Sequence, residues 1–89
     1  MINVLWISSK NCRVCISFCD EWKQLVMKYN KISFRKIYVE EEPDTIRQYN
    51  IIYYPTFLFF QDETLFEKRV IGADKKELEA ELVILHDMA

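Results

Sequence analysis

The chain has 89 residues, of which 51% are hydrophobic, 15% aromatic and 29% charged, and this composition excludes a disordered or fibrous protein. Its net charge of −2 excludes a strongly basic nucleic-acid-binding protein, and no apolar run approaches the roughly 18 residues that span a bilayer. Because a chain of this length buries enough surface for only one modest core, we expect residues 1–89 to form a single domain that acts as a monomer. The N-terminal residues contain no positively charged leader and no small-residue cleavage site, which predicts a cytoplasmic location.

The first predicted strand covers residues 2–7, where apolar and β-branched side chains are typical of a buried strand. A polar loop follows, and the hydrophobic period then changes to that of a helix from Cys12 to about Tyr29. Asn11 stands where the N-cap of this helix is expected. The apolar face of the helix comprises Cys15, Phe18, Cys19, Trp22, Leu25, Val26 and Tyr29.

A second strand is predicted at residues 34–39. It leads into an acidic loop at residues 40–42, which we interpret as solvated. Pro43 opens a short helix that continues to about Tyr49, and Asn50 can end that helix in the left-handed conformation.

Two further strands are predicted at residues 56–61 and 65–71, joined at residues 62–64 in a β-hairpin, and Gly72 ends the sheet. Asp74 and Glu77 form a candidate capping box for a final helix. The core-facing side chains of that helix are Leu78, Leu82 and Leu85. A βαβ crossover makes its two strands parallel, and the hairpin adds an antiparallel pair. The order β-α-β-α-β-β-α therefore predicts an α/β fold, with a four-stranded mixed sheet flanked by three helices.

Three cysteines lie within eight positions, at Cys12, Cys15 and Cys19. Pairing among them closes almost no loop, so they gain little as structural staples and indicate chemistry instead. The first N–H groups of a helix stabilise a thiolate, which makes Cys12 the candidate attacking sulfur, with Lys10 and Arg13 adding positive charge beside it. Cys15 lies one turn inside the helix, where it could resolve a mixed disulfide formed at Cys12.

These residues resemble those of the thioredoxin superfamily over essentially the whole chain. The resemblance rests on Cys12-Arg13-Val14-Cys15, on Tyr54-Pro55-Thr56 and on Gly72 after the hairpin. It implies a minimal thioredoxin-like fold and a dithiol–disulfide oxidoreductase in which Pro55 is cis and lies against the cysteine pair. It also implies that the backbone of Tyr54 pairs with an extended substrate peptide. Tyr53 and Tyr54 would then offer aromatic surface to a docking protein; the alternative is that one is simply buried and the other partly solvated.

Some positions depart from the thioredoxin pattern. Thioredoxins carry an extra β-α unit ahead of the active-site strand, which this sequence is expected to lack. Trp6 stands where thioredoxins have a buried acid that helps to deprotonate the resolving thiol, and Asn11 replaces the usual aromatic residue. Lys36 falls where thioredoxins have a semi-buried lysine. The group that assists Cys15 is therefore expected to be Lys36, water or the substrate.

The resemblance implies a disulfide-containing protein as substrate, with a reductase or glutathione resetting the dithiol, and it requires no cofactor and no metal. A glutaredoxin-like, glutathione-dependent reductase is the alternative enzyme, although Ile71-Gly72-Ala73-Asp74 lacks one glycine of the glutathione-binding turn. A non-enzymatic binding or metal module is the alternative outside enzymes. In that case Cys12, Cys15 and Cys19 would be metal ligands, with His86 as a distant fourth.

Two residues outside the C-x-x-C motif need separate interpretation. Cys19 continues the apolar stripe of the first helix, which favours a buried core position over regulatory oxidation or metal binding. His86 is interpreted as a favourable cation near the C-terminus of the last helix.

Overall fold

One mixed sheet of four strands organises the computed structural model, which describes all residues from Met1 to Ala89. The strands are β1 (Ile2–Ser8), β2 (Ser33–Tyr38), β3 (Thr56–Gln61) and β4 (Thr64–Ile71). Their order in the sheet is β2-β1-β3-β4, with β1 parallel to β2, antiparallel to β3, and β3 antiparallel to β4. The predicted four-stranded mixed sheet is confirmed.

The helices are α1 (Arg13–Ser17), α2 (Cys19–Lys28), α3 (Asp44–Tyr49) and α4 (Lys75–Met88). Three helices were expected, and the difference arises because the first predicted helix divides at Phe18. None of the four combines the length and apolar composition needed to cross a membrane.

The helix divides between α1 and α2 because the hydrogen bonding of the backbone changes at Phe18. The N–H of Phe18 is shared between the carbonyl oxygens of Val14, at 3.1 Å, and Cys15, at 3.2 Å, while its own carbonyl accepts from the N–H of Trp22. The Phe18 ring is buried against Trp6, with ring centroids 5.6 Å apart. No glycine or proline marks this position, so the hydrophobic period alone does not reveal the break.

Other element boundaries differ from the prediction by one or two residues. Strand β2 begins and ends one residue earlier than expected. The hairpin turn is shorter than predicted, because Gln61 pairs directly with Thr64 and Asp62 adopts a φ of 54°. Aspartate tolerates this left-handed conformation better than most residues because its short polar side chain can form local hydrogen bonds.

One face of the sheet carries the larger hydrophobic core and is covered by α1, α2 and α4. We call its fourteen buried residues the Trp6 cluster: Ile2, Val4, Trp6, Cys15, Phe18, Leu25, Tyr29, Ile32, Phe57, Phe59, Val70, Leu78, Leu82 and Leu85. The three leucines predicted to form the core stripe of the last helix are all buried here.

The opposite face is covered by α3 alone. We call its five buried residues the Ile37 cluster: Ile7, Ile37, Val39, Ile51 and Leu58. Helix α3 ends at Asn50, whose φ of 53° confirms the predicted left-handed position. Arg69 of β4 donates a 2.8 Å hydrogen bond to the carbonyl of Tyr49 and so ties the end of this helix to the sheet.

The last helix begins at Asp74. The Asp74 carboxylate accepts a 3.0 Å hydrogen bond from the N–H of Glu77, which confirms one half of the predicted capping box. The other half is absent, because the Glu77 carboxylate pairs with Lys68 at 3.5 Å.

Candidate dithiol site at the start of the first helix

Cys12 and Cys15 lie at disulfide distance where β1 leads into α1. The pair is linked as a disulfide, with Cα atoms 5.2 Å apart. Cys12 is the N-cap of the helix, because its sulfur accepts a 3.1 Å hydrogen bond from the N–H of Cys15. The expectation of Asn11 as the N-cap was therefore wrong by one residue. Cys15 is 1% exposed, whereas Cys12 is only half-buried, which agrees with the expected difference in access between the two sulfurs.

The loop before β3 lies against this pair. The peptide bond between Tyr54 and Pro55 is cis, as the resemblance implied, and Pro55 is buried. The carbonyl oxygen of Tyr54 is 3.8 Å from the sulfur of Cys12. The carbonyl of Pro55 accepts a 2.7 Å hydrogen bond from the N–H of Gly72, whose φ of 91° suits glycine alone. The three features on which the resemblance rests therefore meet at one end of the sheet.

Exposed apolar side chains flank the cysteine pair on both segments. On the proline loop, Tyr53 is 63% exposed and Ile52 is 76% exposed; on α1, Val14 is 52% exposed. The carbonyl of Tyr53 accepts a 2.6 Å hydrogen bond from the hydroxyl of Thr56, which holds the loop backbone while the tyrosine ring remains free. Tyr54 is half-buried and contacts both hydrophobic clusters.

The two flanking cations occupy different environments. Lys10 forms a 3.0 Å ion pair with Glu41, and the hydrogen bond and charge of Glu41 raise the pKa of Lys10. Its charge is therefore directed towards that carboxylate rather than left free beside Cys12. Arg13, the first residue of α1, is exposed and makes no ion pair.

The acidic loop after β2 is largely exposed to solvent, as expected, but it also contacts the segment before Cys12, which the sequence did not predict. Glu40 accepts hydrogen bonds from the Ser9 hydroxyl at 2.6 Å and from the Lys10 N–H at 3.1 Å, and these contacts lower the pKa of Glu40. Glu42 pairs with Arg35 at 3.5 Å. The acidic loop thus holds the polar loop that precedes Cys12. Sequence reasoning missed Ser9 and Glu40 because their contact joins residues 31 positions apart.

The family model for thioredoxin matches residues 3–83. The chain belongs to the thioredoxin family. Thioredoxin H2 of Arabidopsis thaliana is 38% identical over 76 residues, which cover 85% of this chain and 56% of that protein. Thioredoxin Asp f 28 of Aspergillus fumigatus is 31% identical over 68 residues, which cover 76% of this chain and 63% of that protein. The chain thus spans less than two-thirds of the length of either relative.

Solved structures confirm the thioredoxin-like fold. Oxidised mitochondrial thioredoxin 3 of Saccharomyces cerevisiae superposes with a TM-score of 0.88 at 25% identity, over 93% of this chain and 77% of that one. The solved structure of a malarial protein superposes with a TM-score of 0.80 at 21% identity, over 97% of this chain and 97% of that one.

Lys36, which the thioredoxin resemblance placed near the resolving thiol, contacts a different cysteine. Its ammonium lies 3.7 Å from the sulfur of Cys19. It also stacks over the rings of Trp6, at 4.4 Å, and Tyr38, at 4.7 Å. Trp6 stands opposite Lys36 in the pairing of β1 with β2 and is fully buried, with its indole N–H unpaired. The position at which the resemblance placed the family's buried acid is thus occupied by an aromatic ring, with the Lys36 ammonium lying over it.

Cys19 and His86 lie in environments that the sequence did not fully predict. Cys19 packs against the Trp6 cluster but is half-buried rather than buried, and it is the one free thiol. His86 lies in the last turn of α4, and its ring meets that of Tyr29 edge-on at 5.5 Å. No three cysteine, histidine or acidic side chains in the chain come together as a metal site would require.

Asp74 bears on the glutaredoxin alternative. Its carboxylate caps α4 by accepting the Glu77 N–H, so this oxygen already has a structural partner. Gly72 is the only glycine in the chain, and the turn after the last strand accordingly offers one glycine rather than two.

Proposed function

We propose that this thioredoxin-family chain acts as one unit that exchanges disulfides with protein substrates, using Cys12 as the attacking sulfur and Cys15 as the resolving sulfur. The observation that carries the proposal is the hydrogen bond from the Cys15 N–H to the Cys12 sulfur at the first turn of α1. A hydrogen bond to a charged form stabilises that form, so this contact favours a thiolate at Cys12 in the reduced protein. Family membership supplies the second support.

In the first step, the Cys12 thiolate attacks one sulfur of a substrate disulfide. A bond forms between Cys12 and that sulfur, the substrate disulfide breaks, and the second substrate sulfur leaves as a thiolate that takes a proton from water. The half-buried position of Cys12 allows this approach, while the burial of Cys15 keeps the resolving thiol away from bulk disulfides.

In the second step, Cys15 attacks the Cys12 sulfur, releases the remaining substrate sulfur and forms the Cys12–Cys15 disulfide. The substrate gains two electrons and the protein loses two. Cys15 must lose a proton, and Trp6 cannot accept it as the family's acid would. The contact of Lys36 is with Cys19, which leaves the departing substrate thiolate or a water molecule as the acceptor.

The surroundings of Cys12 support a peptide substrate. The Tyr54 carbonyl lies 3.8 Å from the sulfur and offers a backbone acceptor beside the reacting atom. Exposed Tyr53 and Val14 supply apolar contact area on the two sides. After each cycle the disulfide is reduced again by a reductase or by glutathione. In the reduced protein, Arg13 and Lys10 add positive charge around the thiolate, Lys10 to a smaller extent because Glu41 neutralises it.

A redox titration in graded dithiol buffers, followed by thiol trapping and mass mapping, tests this function. We expect Cys12 and Cys15 to change together as one two-electron couple between about −270 and −120 mV. Cys12→Ser should reduce turnover of a disulfide-bonded test protein to background. Cys15→Ser should accumulate a mixed disulfide at Cys12, and Cys19→Ser should retain turnover. Absence of the Cys12–Cys15 couple across that range would refute the proposal.

A further inference from the structure

A cavity of about 270 Å³ lies beside the dithiol site, on the face of the sheet that carries the Trp6 cluster. It is bordered by the ends of β1 and β2 and by α1 and α2. Its lining residues are Ser8, Ser9, Lys10, Ile16, Cys19, Lys36 and Tyr38. Neither Cys12 nor Cys15 is among them, so this cavity is separate from the proposed exchange site.

Lys36 brings an unneutralised charge to the cavity. Its side chain is half-buried, yet it takes part in none of the six ion pairs of the molecule. Its partners are two aromatic rings and the Cys19 sulfur. No carboxylate of the protein therefore offsets the charge of this ammonium. The other lysine at the cavity, Lys10, already has Glu41 as its partner.

Ser8 brings an unused polar group. The residue is 1% exposed, and its hydroxyl takes part in none of the side-chain hydrogen bonds of the protein. Side chains alternate along β1, so Ser8 projects to the same face as Trp6, towards the cavity. The hydroxyl is not among the buried polar atoms that lack a partner, which are the Trp6 indole nitrogen and the His86 Nε2, and Ser8 lines the cavity. A ligand group in the cavity would find this hydroxyl available for a hydrogen bond.

Cys19 supplies a nucleophile to the same space. It is the free thiol of the chain, it is half-buried, and its sulfur lies 3.7 Å from the Lys36 ammonium. Its only other polar contact is with the carbonyl of Cys15, at 3.7 Å. A thiol, an ammonium without a carboxylate partner and a hydroxyl thus line one cavity.

We propose that Cys19 is a modification site, at which the thiol forms a mixed disulfide with a small thiol that bears carboxylates, such as glutathione. The Cys19 thiolate attacks one sulfur of the small disulfide, the S–S bond of that reagent breaks, and its other half leaves as a thiolate that takes up a proton. Cys19 donates an electron pair to the new S–S bond, and the leaving sulfur takes the pair of the broken bond, so Cys19 is formally oxidised by one electron and the leaving sulfur is reduced by one. A carboxylate of the attached group pairs with Lys36, and a polar atom of it bonds to Ser8.

This inference goes beyond the dithiol exchange and does not depend on it. The oxidised protein, in which Cys12 and Cys15 are already bonded, exposes Cys19 as the one thiol that reacts. A Cys12→Ser/Cys15→Ser variant isolates Cys19 in the same way. Absence of the Cys12–Cys15 couple in the redox titration would refute the exchange function without contradicting the proposal for Cys19. Absence of an adduct at Cys19 would refute this proposal without contradicting the exchange function.

The test compares the rates at which glutathione disulfide, which is anionic, and cystamine, which is cationic, modify Cys19. Peptide mapping assigns the site, and each rate is divided by that of the same chain in denaturant. We expect the folded protein to favour the anionic reagent by about fivefold, the scale of a partly exposed ion pair. Lys36→Gln should remove this preference, and added salt should weaken it. Lys31→Gln, at an exposed site outside the cavity, should leave it unchanged.

Three outcomes would overturn the proposal: no adduct at Cys19, equal preference in the folded and denatured chains, or a preference that survives Lys36→Gln. Should Lys36→Gln disturb the fold, Ser8→Ala provides a second probe. That change should lower the rate with glutathione disulfide by about twofold, the scale of one weak hydrogen bond, without affecting cystamine. An equal effect on both reagents would contradict the predicted role of Ser8.

Discussion

The two faces of the sheet differ in both size and role. The Trp6 cluster holds fourteen buried residues beneath three helices, whereas the Ile37 cluster holds five beneath one helix of six residues. Cys15 belongs to the larger cluster, and Cys12 and Cys19 pack against it. The thiols are therefore held by the part of the molecule that contributes most to its stability.

This comparison shows why a small chain can present a well-positioned pair of sulfurs. Burying apolar surface stabilises by about 25 cal/mol per Å², so the larger cluster dominates the folding free energy. The positions of Cys12 and Cys15 are consequently coupled to global stability. Substitutions on the face with the Ile37 cluster should cost less folding free energy.

The largest predicted difference concerns two leucine truncations, one on each face of the sheet. Leu82→Ala removes a fully buried side chain from the Trp6 cluster and should lower the free energy of unfolding by about 3 kcal/mol. Leu5→Ala removes a partly buried side chain that packs against the Ile37 cluster and should lower it by about 1 kcal/mol. Urea denaturation of both variants measures the difference. Equal losses would show that the two faces contribute alike.

The next prediction concerns Tyr29, a member of the Trp6 cluster. Its hydroxyl donates a 2.6 Å hydrogen bond to Glu79, and Tyr29 is only 5% exposed. Tyr29→Phe should therefore lower the free energy of unfolding by about 1–2 kcal/mol, as expected for a hydrogen bond to a charged group. Tyr53→Phe, at an exposed tyrosine, is the matched control and should change stability little. A Tyr29→Phe variant as stable as the control would show that the hydrogen bond between Tyr29 and Glu79 does not stabilise the larger face.

A smaller effect is expected at the helix that covers the Ile37 cluster. Asn50 ends α3 with φ 53° and ψ 52°. Asn50→Ala should cost about 1 kcal/mol because a β-carbon is disfavoured in this conformation, while Asn50→Gly should be neutral or slightly stabilising. Thermal or urea unfolding of both variants distinguishes them. Equal destabilisation by alanine and glycine would mean that the amide side chain, rather than the backbone conformation, holds this end.

The smallest predicted effect is a pH dependence on the larger face. The hydrogen bond from Lys28 has the largest effect on the pKa of Glu79, followed by the hydrogen bond from Tyr29. Both lower this pKa below its ordinary value of 4.5. A lowered carboxyl pKa adds stability that is complete above the unfolded-state pKa and is lost as pH falls through the folded-state pKa. Between about pH 5 and about pH 3, the wild type should lose more stability than Glu79→Gln. Glu63→Gln, in the exposed hairpin turn, should follow the wild type, and parallel curves for all three would contradict the prediction.

Much of the fold follows from local patterns in the sequence. The spacing of Leu78, Leu82 and Leu85 indicates one face of a helix, and all three are buried in the larger cluster. The C-x-x-C motif after a strand correctly indicates a close pair at the beginning of a helix. Asn50 likewise carries a residue-level signal for its left-handed conformation. In each case the determining interactions lie within a few residues of one another.

The features that were missed depend on contacts between distant segments. Lys36 faces Trp6 because of the register between β1 and β2, and no local pattern determines which cysteine its ammonium then meets. Glu40 supports the loop before the dithiol because two strands end side by side. The half-buried state of Cys19 depends on how α2 lies over the sheet, which its periodicity does not specify.

The cap of the first helix has one further consequence. The Cys12 sulfur that would react is also the acceptor that satisfies the backbone N–H of Cys15. A thiolate accepts this hydrogen bond more strongly than a sulfur bonded to another sulfur, so we expect the opening turn of this five-residue helix to be more stable in the reduced protein. The amide hydrogen of Cys15 should then exchange more slowly in the reduced protein than in the oxidised protein. The exchange rate of this one amide would therefore report the oxidation state of the dithiol.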